Sequence, residues 1–191
     1  MKFSFFALAF RMKYITRWGL MRNYRTENLS EHSAETAMLA HSLALIGNQY
    51  FHKHYLVERV AVLALYHDLC EVFTGDLPTP VKYFNSEMRE SYKKIEESAA
   101  QKLLLKLPDE LRDEYADILN EHKEKDLHIL VKAADKLCAY IKCTEEVSNG
   151  NNEFKKALVA TKKSLDQYPC EELQYFMEHF LPSFNLTLDE L

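Results

Sequence analysis

The chain has 191 residues, 47% hydrophobic and 28% charged, with four glycines and five prolines. That is enough for one domain with a sizeable core, and the composition is ordinary for a globular protein rather than a disordered one. The net charge of −5, with no block of Lys or Arg, argues against a nucleic-acid polymer as partner, because such binding needs a basic face that reaches many phosphates.

Helical periodicity dominates and no alternating strand pattern appears, which predicts an all-α fold. The apolar stretch from Phe3 to Phe10 is short, contains Ser4 and runs into Arg11, Lys13 and Arg17, so it reads as an amphipathic helix rather than a signal peptide. That helix is expected to bury Phe3, Phe6, Leu8, Phe10 and Tyr14. The second helix is predicted from about Ser30, its N-cap, to Ile46, with Glu31 at the positive dipole end and Gly47-Asn48 as the stop. A third is predicted from about Leu56 to Phe73, apolar nearly all round between Val60 and Tyr66 and therefore central. Gly75 to Pro80 then reads as a loop, since proline breaks a helix interior. A charged helix follows over about Ser86 to Leu107, and Pro108-Asp109-Glu110 opens the next, with proline in the first turn. Asp126 is expected to cap a helix that runs to about Val147 and ends at Asn149-Gly150. Two more are predicted over Glu153–Asp166 and Glu171–Phe180, before the tail at Pro182.

No stretch approaches the roughly 20 apolar residues that cross a bilayer, so no membrane partner is expected. Cys70, Cys138, Cys143 and Cys170 form no CxxC pair and no dense framework. Such cysteines suit a reducing cytoplasm.

The chemistry concentrates around His67-Asp68, set in the most apolar predicted helix. Burying a charged aspartate there is costly unless a metal ion or a basic side chain pairs with it. Glu71, four residues after His67 and three after Asp68, is expected on the same helical face. Asp135 falls on or beside the apolar stripe of Leu127, Val131, Ala134 and Cys138, and His32 adds a second imidazole. Two histidines and two aspartates would suit a divalent cation with positions left for water and substrate. Periodicity leaves open whether these helices meet, and a set of structural ion pairs explains the same residues.

The pattern His32…His67-Asp68…Asp135 resembles the signature of the HD-domain metal-dependent phosphohydrolases. More specific stretches surround it: Arg17-Trp18, Arg25-Thr26-Glu27-Asn28, Ser30-Glu31-His32-Ser33, Glu71-Val72, Thr74-Gly75-Asp76-Leu77-Pro78-Thr79-Pro80, and Gly150-Asn151-Asn152-Glu153-Phe154. Together they resemble the bacterial 5′-deoxynucleotidase (YfbR-like) family over nearly the whole chain. The resemblance implies a single HD-type helical bundle over 1–191, its HD core roughly 28–147. It also implies hydrolysis of deoxyribonucleoside 5′-monophosphates, with ribonucleotides poor substrates and base selectivity loose.

Carried onto this sequence, the resemblance makes His32, His67, Asp68 and Asp135 the ligands of one divalent cation (Co²⁺, Mn²⁺, Zn²⁺ or similar). Glu71 becomes the general acid/base and Arg17 the group that orients phosphate. Trp18, His32, Asp68, Asp76, Leu77, Pro78 and Thr79 become substrate contacts. His122 is weighed as a further ligand and read as a surface residue. A homodimer is implied as well. Two other functions stay open: an HD phosphohydrolase for cyclic nucleotides or triphosphates, which would call on Arg22 and Arg25, and a non-catalytic nucleotide-binding regulator.

Overall fold

The computed structural model describes residues 2–82, 84–120 and 123–191. Among them the helices run α1 (Phe5–Ala9), α2 (Leu29–Tyr50), α3 (Val57–Tyr66), α4 (Glu71–Thr74), α5 (Thr79–Lys82), α6 (Ser86–Leu104), α7 (Asp109–Ile118), α8 (Lys125–Ser148), α9 (Lys155–Asp166) and α10 (Glu171–His179). The described residues contain no β-sheet, only an isolated antiparallel bridge between Thr16 and Asn28. The all-α expectation holds.

Local chemistry explains the helix ends, and several differ from expectation. Asn28, not Ser30, caps α2: its side chain accepts from the Ser30 and Glu31 amides, and Glu31 accepts from the Asn28 amide in return. This reciprocal pairing satisfies donors that a helix start leaves orphaned. Gly47 does not end α2 but lies inside it. A Cβ there would sit 2.6 Å from the Tyr55 ring and 2.9 Å from a Glu172 carboxylate oxygen, so glycine permits a close approach rather than a stop. Pro80 stands in the first turn of α5, where its missing N–H costs nothing. Pro108 precedes α7 as its N-cap, and Glu124 rather than Asp126 occupies that position before α8.

The main core joins α2, α3, α8, α9 and α10. Leu43, Ala44, Val60, Leu63, Ala64, Val131, Ala134, Leu137 and Leu173 are all fully buried in it. Each such leucine contributes about 1.5–3 kcal/mol. A second cluster of Phe5, Met12, Leu29, Leu69, Leu103 and Leu107 fastens the N-terminal segment to α6. The expected burial of Phe3, Phe6, Phe10 and Tyr14 is not found: all four are exposed, Leu8 is half-buried, and Phe5 and Met12 point inward instead. The cause is a change of pitch, because α1 lasts five residues and passes into a 3₁₀ turn over Phe10–Tyr14. A 3.6-residue period does not survive that change.

Nor is the third predicted helix continuous. α3 ends at Tyr66, and the chain tightens through i→i−3 bonds: Leu69 N to Tyr66 O at 3.0 Å, Glu71 N to Asp68 O at 3.0 Å, and Val72 N to Leu69 O at 3.2 Å. His67-Asp68 therefore sits on a tight turn between α3 and α4. In such a turn residues three apart lie one over the other, which still brings Asp68 and Glu71 to one side.

The segment between Trp18 and Asn28 is held by a buried ion pair on α8. Glu146 accepts from the amides of Tyr24 and Arg25, from Lys142 Nζ and from Asn151 Nδ2, while Lys142 also donates to Arg25 O. Burial alone would push the Glu146 carboxyl up, but the Lys142 bond and the other donors bring it down to about 2. Its folded value thus lies below its unfolded one. The stability it contributes is present above about pH 4.5 and drains away as pH falls from there toward 2, by on the order of 3 kcal/mol in total. A thermal scan across that range should show Glu146→Gln losing less stability on acidification than the parent protein; parallel losses would remove Glu146 as the cause.

Candidate metal and phosphate site

Four elements converge on one point. Residues Ile15–Arg17 run antiparallel to Glu27–Leu29, with Arg17 N donating to Glu27 O at 3.0 Å and Leu29 N to Ile15 O at 2.9 Å. That pairing sets Arg17 beside the first turn of α2, which carries His32. The turn after α3 supplies His67 and Asp68, and the middle of α8 supplies Asp135. Asp68 Oδ2 lies 3.1 Å from His67 Nε2, 3.6 Å from His32 Nε2 and 3.5 Å from Arg17 Nη1. From the opposite helix, Asp135 Oδ1 lies 3.2 Å from His32 Nε2 and 4.0 Å from His67 Nε2. His32 is fully buried.

These donors fit a cation. Potential ligand atoms of His32, His67 and Asp135 all lie within 4.8 Å of one another, and Asp68 reaches both imidazoles. His67 Nδ1 is 2.6 Å from Ala64 O. A carbonyl only accepts, so Nδ1 carries the proton and Nε2 keeps its lone pair for a metal. That Nε2 is buried without a hydrogen-bond partner. On the far side of the other ring, Glu27 Oε1 faces His32 Nδ1 at 3.4 Å, the arrangement in which a carboxylate orients a ligating histidine.

The electrostatics demand positive charge at this point. Burial would raise the Asp68 carboxyl, yet the neighbouring imidazoles, His67 first and then His32, hold it far below the usual range. Asp135 is held well down in the same way, chiefly by its hydrogen bond to His32. Burial and Arg17 oppose a charge on His32, but its contacts with Asp135, Cys138 and Glu27 outweigh them and push it well up. A divalent cation answers the same need more directly.

Around this centre lie the other expected residues. Arg17 is half-buried and donates from Nε to Glu27 Oε1 at 3.0 Å; burial works against its charge, and Asp135, Glu27, Asp68 and Asp76 reverse that. Glu71 is buried, with Oε2 lacking any hydrogen-bond partner. Burial first, then the charges of Asp68 and Asp76, push its carboxyl up to about 9. Asp76 accepts from the Trp18 amide, and burial raises it despite Arg17. Trp18 packs on Phe154 with ring centroids 5.4 Å apart, and its buried Nε1 has no hydrogen-bond partner. Its backbone is left-handed at φ 57°, a conformation that costs a non-glycine residue roughly 1–3 kcal/mol.

Leu77 and Pro78 are half-buried beyond Asp76, while Thr79 is exposed and begins α5. Arg22 turns away, its side chain exposed and paired with Glu153 at 2.7 Å, and Arg25 is exposed too. His122 lies outside the described residues, as does Tyr83. Glu27 joins the site as a residue with no individual role in the sequence reading. Its signal was the acid just before the Asn28 cap, but its partners Arg17 and His32 become its neighbours only through the pairing of residues 15–17 with 27–29.

A helical bundle that gathers two histidines and two aspartates from two helices and the turn after a third defines a class. The fold is that of an HD-domain phosphohydrolase: one from Listeria innocua superposes with a TM-score of 0.84 at 24% identity, covering 95% of this chain and 88% of its own. A cyanophage S-2L HD phosphohydrolase, bound to dA and one catalytic Zn²⁺ ion, superposes with a TM-score of 0.62 at 20% identity, covering 96% and 99%. Within that class the sequence is more particular. The 5′-deoxynucleotidase YfbR-like family matches residues 4–184. A 5′-deoxynucleotidase of Enterobacter sp. strain 638 is 55% identical over 188 residues, 98% of this chain and 94% of its own. 5′-Deoxynucleotidase YfbR of Escherichia coli strain K12 is 54% identical over the same shares. The chain belongs to the YfbR-like 5′-deoxynucleotidase family, and with it to the phosphatase-type hydrolases.

Proposed function

We propose that the chain is a metal-dependent 5′-deoxynucleotidase that hydrolyses deoxyribonucleoside 5′-monophosphates, selects deoxyribose over ribose and accepts varied bases. The observation that carries this reading is the shared oxygen of Asp68, which both imidazoles and the Arg17 guanidinium approach within 3.6 Å. A cation held by His32, His67, Asp68 and Asp135 thus stands next to a planar donor suited to phosphate oxygens. When bound, a divalent ion supplies Lewis acidity, polarising a phosphoryl oxygen and lowering the pKa of water.

The chain's own groups do the rest. Arg17 orients the phosphate and offsets the charge that shifts during phosphoryl transfer. Glu71, protonated at neutral pH, is suited to hand a proton to the departing 5′-oxygen. Asp76 accepts from a sugar hydroxyl, while Trp18 crowds the 2′ position and offers Nε1–H to the substrate. Leu77, Pro78 and Thr79 complete the loop over the nucleoside. Its recognition of sugar and phosphate leaves the base free to vary. The names of the family relatives, and the dA bound by the cyanophage enzyme, support the same substrate class.

Phosphate release should be measured across deoxy- and ribonucleoside 5′-monophosphates, triphosphates and cyclic nucleotides. The expected result is release from deoxy monophosphates of purines and pyrimidines alike, lost with chelator and restored by Co²⁺ or Mn²⁺. Preferential release from triphosphates or cyclic nucleotides would overturn the reading, and binding without release would mark a regulator. Trp18→Ala should lower the ratio of deoxy to ribo kcat/KM by about tenfold, a difference of ~1.4 kcal/mol. An unchanged ratio removes Trp18 from sugar selection.

No helix among the described residues is long and apolar enough to cross a membrane, and the four cysteines are free thiols. We place the enzyme in the cytoplasm on that chemistry. The exposed Phe3, Phe6, Phe10 and Tyr14 favour a homodimer, which sedimentation of the purified protein checks directly.

A further inference from the structure

We propose that Glu27 is a positioning residue that aims the cation-holding imidazole of His32 and the phosphate-orienting guanidinium of Arg17 with one carboxylate oxygen. Glu27 Oε1 accepts from Arg17 Nε at 3.0 Å and faces His32 Nδ1 at 3.4 Å. The side chains of Glu27, Arg17 and His32 are 12%, 11% and 0% exposed. A carboxylate so enclosed persists only where charged or donating partners offset its lost hydration, and here both partners belong to the site.

Each contact fixes a direction. With Nε tied to Glu27, the Arg17 fork turns its Nη1 toward Asp68, 3.5 Å away. With the Glu27 charge 3.4 Å from Nδ1, the His32 ring has its proton drawn to that side and its Nε2 left for the cation, on the side of Asp68 and Asp135. The backbone reinforces the arrangement, since Glu27 O also accepts from Arg17 N at 3.0 Å. One residue therefore ties Arg17 with two hydrogen bonds and sets its charge beside His32 Nδ1, so cation and phosphate affinity share a common support. Glutamine keeps the shape of this group and can still turn one oxygen toward both partners, but it loses the charge, and its N–H₂ takes the place of the unpartnered Oε2. Aspartate keeps the charge but is one methylene shorter.

The inference rests on the proposed metal and phosphate site, and its test reads binding rather than turnover. The apo-protein and its Glu27→Gln and Glu27→Asp variants are titrated with Co²⁺ by calorimetry. Inorganic phosphate is then titrated into each Co²⁺-saturated form. For Glu27→Gln the expected result is Co²⁺ binding weakened by about 10–100-fold, together with phosphate binding weakened at saturating metal. Glu27→Asp should restore one of the two affinities in part, because its carboxylate reaches only one partner. If a folded Glu27→Gln keeps both affinities within about twofold and differs only in melting temperature, the residue is structural and the proposal fails. Should Glu27→Gln not fold, Glu27→Asp alone decides, with both affinities unchanged as the overturning result. A wild-type protein that released no phosphate from deoxynucleotides would sink the proposed activity yet leave both titrations interpretable.

Discussion

Replacing Glu71 with alanine is expected to lower kcat for deoxynucleoside monophosphate hydrolysis by about 10²–10⁴-fold, the usual share of a positioned acid or base. Bound metal should stay at the wild-type level. Glu71 is not among the groups that meet at the cation position, and it enters through the tight turn that stacks it over Asp68. Its carboxyl is raised to about 9 because burial and two neighbouring carboxylates disfavour its charge. Glu71→Gln keeps the volume and a donor but has no proton to give up, so it should be nearly as inactive. Glu71→Ala should melt no earlier than wild type, since it removes a buried oxygen without a hydrogen-bond partner. Turnover above one tenth of wild type in Glu71→Ala would take Glu71 out of the mechanism. Loss of metal would reassign it as a ligand.

His67→Ala is expected to be more damaging and different in kind. It deletes the imidazole whose tautomer Ala64 O fixes, and it leaves Asp68 and Asp135 with one fewer imidazole partner. Co²⁺ should then fail to raise the melting temperature, a rise expected of wild type by mass action. Activity should be undetectable and not rescued by added metal. The apo form should also lose stability, by about 3–5 kcal/mol if removing one partner strands a buried charge in the usual way. A metal-dependent rise in melting temperature equal to wild type would show that the cation sits elsewhere.

Much of the bundle could be read before any coordinates, because long amphipathic helices leave a 3.6-residue imprint. The second, sixth and eighth helices fall close to their expected spans. What escaped was local and steric. Nothing in Ala64 to Phe73 marks a break, since no glycine or proline interrupts it and the change is a shift from i→i−4 to i→i−3 bonding. Gly47 carried a stop signal that tertiary packing against Tyr55 overrides. The four ligands were assigned by resemblance to the HD pattern; spacing left a set of structural ion pairs equally open. The structure brings the four together from three different elements, which no single-helix period encodes. Glu27 was hidden for the same reason, as its role arises from a pairing between residues ten apart.

Trp18 has one further consequence. A left-handed backbone on a tryptophan means the site holds a residue there against its own preference, with the Asp76 contact to its amide and the Phe154 contact to its ring keeping it in place. Glycine adopts φ near 57° without cost. Trp18→Gly should therefore return some of the strain as resistance to unfolding, offset by the lost ring packing, while giving up discrimination between sugars. Under the role proposed for Trp18, sugar selection would be held under tension at this position, and a drift toward glycine would trade selectivity for a more relaxed and permissive site.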